Sequence, residues 1–190
     1  MNYHNITYPD MLNGDGLRVV LWLSGCSHNC YKCQNPQTHD PNSGILFDEK
    51  AEEELFRELS KDYISGLTLT GGDPLHENNL DGVLRIVNRI RLQMPEKTIW
   101  LYTGYKLENI SFFSSMNEYV KGKNDFDSAV NDEYNNLIRN IIVSQVDVLV
   151  DGKYIDSQRN VSAKWKGSDN QRVIDVQKSL EQGKVVLYCD

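Results

Sequence analysis

Four short apolar runs, each leading into a glycine, constrain the fold of this chain more than any other feature. They are Val19-Val20-Leu21-Trp22-Leu23 before Ser24-Gly25, Gly66-Leu67-Thr68-Leu69-Thr70 before Gly71, Thr98-Ile99-Trp100-Leu101-Tyr102 before Thr103-Gly104, and Val146-Asp147-Val148-Leu149-Val150 before Asp151-Gly152. Runs of this length and near-continuous hydrophobicity suit strands covered on both faces. Between them the period changes to that of a helix. One helix is predicted over 48–63, with Ala51, Leu55, Phe56, Leu59 and Tyr63 on one face. A second is predicted over 79–94, with Leu80, Val83, Leu84, Val87, Ile90 and Met94 together and Pro95 as its stop. Strand–loop–helix alternation predicts an α/β fold, a parallel sheet flanked by helices, with the working residues at the C-terminal ends of the strands.

Two regions fall outside this rhythm. Residues 112–140 are rich in Asn, Asp, Ser and Tyr and read as a surface insertion with one helix around 134–142. The tail reads as a short helix over 173–180, a cap at Gly183 and a last strand over 185–188. A length of 190 residues favours a single domain, residues 1–190, and can bury a core without disulfides. No apolar run approaches the ~18 residues of a membrane span, and residues 1–10 lack a signal-peptide profile. Twenty Lys and Arg against 27 Asp and Glu give a formal charge of -7, without the basic footprint of a nucleic-acid binder. The expectation is a cytoplasmic protein that engages neither membrane nor nucleic acid.

Three of the four cysteines, Cys26, Cys30 and Cys33, crowd into one loop, and Cys189 stands apart near the end. Such clustering suits a metal site in a reducing compartment better than a disulfide framework. Three thiolates on one loop can hold three corners of an iron–sulfur cubane and leave one iron open to a substrate. Structural zinc is the rival, with Cys189, His28 or His39 as the fourth ligand. Inert thiols on a helix face also match the spacing, although Gly25, Ser27, His28 and Asn29 are poor company for a buried helix. In Gly71-Gly72-Asp73-Pro74 the absence of Cβ atoms would let backbone approach a ligand, and Asp73 would meet an ammonium. The alternative there is a tight turn with Asp73 as a cap.

The order of these motifs resembles the radical S-adenosylmethionine superfamily. Asn13-Gly14-Asp15-Gly16-Leu17-Arg18 is similar to the Gly-x-Gly-x-Arg opening of glycyl-radical-enzyme activases, although Asp15 stands where they often carry Pro. Cys33-Gln34-Asn35 resembles their Cys-x-Asn, and Leu69-Thr70-Gly71-Gly72-Asp73-Pro74-Leu75 their Gly-Gly-acid motif. Trp100-Leu101-Tyr102-Thr103-Gly104-Tyr105, Val150-Asp151-Gly152-Lys153-Tyr154 and Lys166-Gly167-Ser168-x-Asn170-Gln171 are most similar to the branch that activates anaerobic ribonucleoside-triphosphate reductase. The resemblance covers residues 1–111 and 141–175. It implies a partial β/α barrel or open parallel sheet. It also implies a [4Fe–4S] cluster on Cys26, Cys30 and Cys33, with S-adenosylmethionine at the unique iron. Gly71, Gly72 and Asp73 would hold the amino end of that cofactor, with Lys32, Cys33 and Gln34 beside it. Lys32 stands where many members place an aromatic residue, and Tyr31 comes one position earlier. Reduced flavodoxin or a similar donor would supply an electron for cleavage to methionine and a 5′-deoxyadenosyl radical. That radical would take a hydrogen from a glycine of the reductase large subunit. No side chain is needed as general acid or base, so none is expected as catalytic. Two rivals stand beside this reading: a small-molecule radical S-adenosylmethionine enzyme, and a zinc-stabilised binding module without catalysis.

Overall fold

The four apolar runs form the centre of one seven-stranded sheet. The computed structural model describes residues 1–110 and 126–189, with 126–130 by backbone alone. The strands are β1 (Asn2–Asp10), β2 (Arg18–Leu23), β3 (Ile45–Leu46), β4 (Gly66–Gly71), β5 (Thr98–Tyr102), β6 (Val148–Asp151) and β7 (Arg172–Asp175). Their spatial order is β3-β1-β2-β4-β5-β6-β7. The neighbours β2-β4, β4-β5 and β5-β6 are parallel. Helical crossovers make them so: α1 (Glu49–Leu59), α2 (Leu80–Gln93), and α3 (Leu107–Ile110) with α4 (Phe126–Ser144). The flanks differ from the all-parallel expectation. β1 reaches β2 through a short loop, β7 follows β6 through a long loop, 152–171, that holds no α-helix, and both pairs are antiparallel. The sheet is therefore mixed, and among the described residues it does not close on itself.

Alternation along the strands gives the sheet two different faces. Val19, Leu21 and Leu23 of β2, Leu67 and Leu69 of β4, and Ile99 and Leu101 of β5 pack with the helices in the main core. The opposite face carries Arg18, Trp22, Thr68, Thr70, Trp100 and Tyr102 on the alternate positions. At its strand-start end, fully buried Arg18 donates to Thr68 Oγ1 (2.6 Å), Leu67 O (2.6 Å) and Thr98 O (3.0 Å) and stacks over Trp100.

Several boundaries move. The first helix starts at its Asp48 cap, which accepts from Ala51 N, and ends at Leu59, leaving Tyr63 outside and exposed. The helix expected around 134–142 lies inside α4, but it is no surface feature: Ile138, Ile142 and Val143 are buried in the core. The earlier half of that expected insertion, 112–125, lies outside the described residues. In the tail, the first residues of the expected helix, 173–175, belong to β7, and the rest lie in α5 (Val176–Gln182), with Asp175 capping and left-handed Gly183 closing it as expected. The strand expected over 185–188 reduces to one bridge between Leu187 and Ile174. No described helix is long and apolar enough to cross a membrane.

Candidate metal and cofactor site

The loops that leave the parallel strands meet at one end of the sheet. The cysteine loop leaves β2, and its backbone is tied to its own far limb: Gly25 N donates to Thr38 O (2.8 Å) and Cys26 N to His39 O (3.0 Å). Left-handed Asn29 (φ 47) and Lys32 (φ 53) turn the chain sharply at two points between the cysteines. Cys33 N donates to Cys30 O (3.1 Å), and Asn35 N donates to Cys33 Sγ (3.4 Å). All three thiols are half-buried and unpaired. Burial pushes the Cys26 thiol up to about 11 and raises that of Cys30, so loading a metal must displace protons.

Among the described residues, no three His, Cys, Asp or Glu side chains form a group set around one metal ion. The three thiols share one loop, and the backbone N–H directed at Cys33 Sγ is a donor of the kind that orients a thiolate ligand. Of the three residues expected as a fourth zinc ligand, His28 and Cys189 are engaged elsewhere, while His39 keeps a buried Nε2 without a hydrogen-bond partner. His28 Nε2 is bonded to Asp73 Oδ2 at 2.7 Å, and Cys189 packs against the Trp100, Val148, Val150 and Val173 cluster.

Beside the loop, an open cavity of about 480 Å³ lies over the polar face of the sheet. Its floor is Trp22, Thr70 and Tyr102; Cys33 and Gln34 form one wall. Tyr154, Arg159 and Lys166, from the loop after β6, form the other. Burial raises the Tyr102 phenol above its usual value, which keeps its proton on. The size suits a small-molecule cofactor.

The expected cofactor residues divide. Cys33 and Gln34 line the cavity, whereas the Lys32 side chain turns to the surface and pairs with Asp156 at 2.9 Å. Gly71, at φ +95, ends β4 against Leu23 of β2. The bare face of Gly72 meets protein: a Cβ there would lie 2.5 Å from Gly25 O. The Asp73 carboxylate is fully engaged. It accepts from Thr103 Oγ1 (2.9 Å), Gly104 N (3.0 Å), Leu75 N (2.8 Å) and His28. The Asp73 oxygens thus already take four internal donors, and the local turn onto Leu75 is the capping alternative.

Sequence reasoning missed Arg159, which belongs to no motif. It placed Gln171 in a motif without foreseeing that this residue holds the second wall. Gln171 Oε1 accepts from Gly167 N (2.9 Å) and Ser168 N (3.2 Å), while its Nε2 donates to Gly152 O (2.9 Å). Trp165, left-handed at φ 58, sets its ring edge-on against Trp100 at 4.9 Å.

A family model described as a 4Fe-4S single cluster domain matches residues 12–174, which include the whole cysteine loop and both cavity walls. Full-length relatives are equally specific. An anaerobic ribonucleoside-triphosphate reductase-activating protein of Enterobacteria phage T4 is 39% identical over 91% of this chain and 93% of its own length. The chain belongs to the family of anaerobic ribonucleoside-triphosphate reductase-activating proteins. Members from Escherichia coli, 36% identical over 91% of this chain and 97% of their own, and Haemophilus influenzae, 35% over 90% and 96%, have the same extent. In this activating-protein family, then, the chain has the cysteine loop and the cavity beside it on one continuous sheet.

Proposed function

We propose that this chain activates an anaerobic ribonucleoside-triphosphate reductase by placing a glycyl radical on its large subunit. The observation that carries this is the half-buried loop of Cys26, Cys30 and Cys33 at the wall of a cofactor-sized cavity, in a chain of that family. When bound, a [4Fe–4S] cluster and S-adenosylmethionine supply reductive cleavage to methionine and a hydrogen-abstracting 5′-deoxyadenosyl radical. The three cysteines hold the cluster. Backbone at Gly71 and Gly72 takes the amino end of the cofactor, and Asp73 acts by fixing that turn. Arg159 and Lys166 meet the carboxylate. Gln34, with the backbone at Lys32 and Cys33, borders the adenosyl part, and Trp22 and Tyr102 keep water from the floor. No residue need move a proton. The mixed sheet is one side of a partial β/α barrel within a single domain, open where the partner's glycine must approach. A reduced flavodoxin or similar low-potential protein supplies the electron, in a cytoplasm that keeps thiols reduced.

Anaerobic reconstitution is expected to give about four iron per chain. Cys→Ser at 26, 30 or 33 should each lose it, whereas Cys189→Ser should keep it. With reductase, reductant and S-adenosylmethionine, electron paramagnetic resonance should show a glycyl radical on the reductase. Tightly held zinc without iron, or iron without a glycyl radical, overturns the reading.

A further inference from the structure

The cysteine loop touches the sheet's other loops through one side chain that no cluster needs as a ligand. His28 stands between Cys26 and Cys30, yet it turns away from solvent, with 9% of its side chain exposed. Its Nε2 lies 2.7 Å from Asp73 Oδ2, and because a carboxylate oxygen accepts, the imidazole is the donor. The ring is enclosed on its other sides. Tyr105 packs edge-on at 4.7 Å, and a Cβ at Gly104 would stand 2.2 Å from His28 Cδ2. Arg139 of α4 lies over the Tyr105 ring and donates to Leu75 O, two residues beyond Asp73. The carboxylate that His28 reaches is itself fixed by Thr103, Gly104 and Leu75. A loop carrying three cysteines is thereby bonded to the loops after β4 and β5.

We propose that His28 is a positioning residue: through Asp73 it sets the cysteine loop against the Gly71-Gly72 backbone, and so fixes the cluster relative to the amino end of S-adenosylmethionine. This inference rests on the cluster reading above. Ahead of the first cysteine, Gly25 O accepts from Asp73 N at 2.8 Å, and Asn79 Nδ2 donates to both Ser24 O (2.7 Å) and Asp73 O (3.0 Å). Beyond Cys26, among the described residues, the His28–Asp73 bond carries the cysteine-bearing segment to the Gly-Gly-Asp turn. A donor of the right reach at position 28 is what the geometry demands.

The test uses reconstituted His28→Ala and His28→Gln beside the wild type, each assayed for iron content. S-adenosylmethionine affinity is read by calorimetry, and the change in the reduced cluster's electron paramagnetic resonance spectrum on adding S-adenosylmethionine is recorded. His28→Ala should hold iron at the wild-type ratio but bind S-adenosylmethionine about tenfold more weakly, the worth of one charge-assisted hydrogen bond, with a diminished spectral change. His28→Gln, whose amide N–H can donate to Asp73, should recover most of both. Wild-type affinity and spectrum in His28→Ala overturn the proposal, and so does a Gln variant no better than Ala. If His28→Ala takes up no iron, His28→Gln decides: full iron with near-wild-type affinity supports the proposal, and anything less overturns it. A wild type that takes up no iron would instead defeat the cluster reading itself.

Discussion

At Gly72 a single methyl group is too much. The Cβ it would add meets a carbonyl oxygen of Gly25 at 2.5 Å, and backbone cannot swing aside as a flexible side chain can. Gly72→Ala should therefore push the β4 turn off the cysteine loop. The expected cost is about 1–3 kcal/mol in urea denaturation, with reduced iron uptake on reconstitution. Wild-type stability and iron would mean the turn relaxes freely. The cysteines were legible because three ligands on one loop write their spacing into the sequence. Asp73 was legible as a motif member and as a turn cap onto Leu75, but its other donors were not, because they come from distant positions. His28 is 45 residues before it and Thr103 is 30 after it. No local pattern announces partners that only the sheet brings together.

Helices α1 and α2 could be read because a long amphipathic face repeats its signal over several turns. The outer strands could not. β1 has only Tyr3 and Ile6 buried among polar neighbours, with register shifts against β2 that break its alternation. β7 is four residues long and runs directly into α5, so its apolar residues pass for the first turn of a helix. What secures β7 is electrostatic. Arg172 donates to Glu108 of α3 in a two-pronged pair at 2.7 Å, and its Nε donates to buried Asp151 of β6 at 2.9 Å. The hydrogen bonds from Arg172 pull the Glu108 carboxyl from its ordinary 4.5 down to about 2. A depressed carboxyl stabilises the fold above its unfolded value, and that contribution is lost as pH falls through the folded one. Half-exposed, the pair contributes less than about 1 kcal/mol. The urea midpoint of wild type should therefore exceed that of Glu108→Gln by a small constant margin above about pH 5, and the margin should vanish as pH approaches 2. A margin that persists undiminished to pH 2 would assign the effect to packing.

Across the whole molecule, the two ends of the sheet have different tasks. Loops at the strand ends build the candidate site, while Arg18 closes the strand starts by bonding β4 and β5 to β2 beneath Trp100. Burial lowers the Arg18 guanidinium to about 10, still charged at neutral pH. Arg18→Ala should cost about 2–4 kcal/mol, through a cavity and orphaned strand carbonyls. Once folded and reconstituted, the variant should bind S-adenosylmethionine within about twofold of wild type, since affinity is set at the other end. A large loss of affinity at full iron content would show that the two ends are coupled. Among the described residues, the sheet that joins them stops at β3 on one side and β7 on the other. A protein segment can come and go past such an edge without any strand of this chain parting from its neighbour. Under the function proposed above, a partner's segment leaves such an edge by the way it came, so one copy is free to meet the next target with its own strand pairing intact.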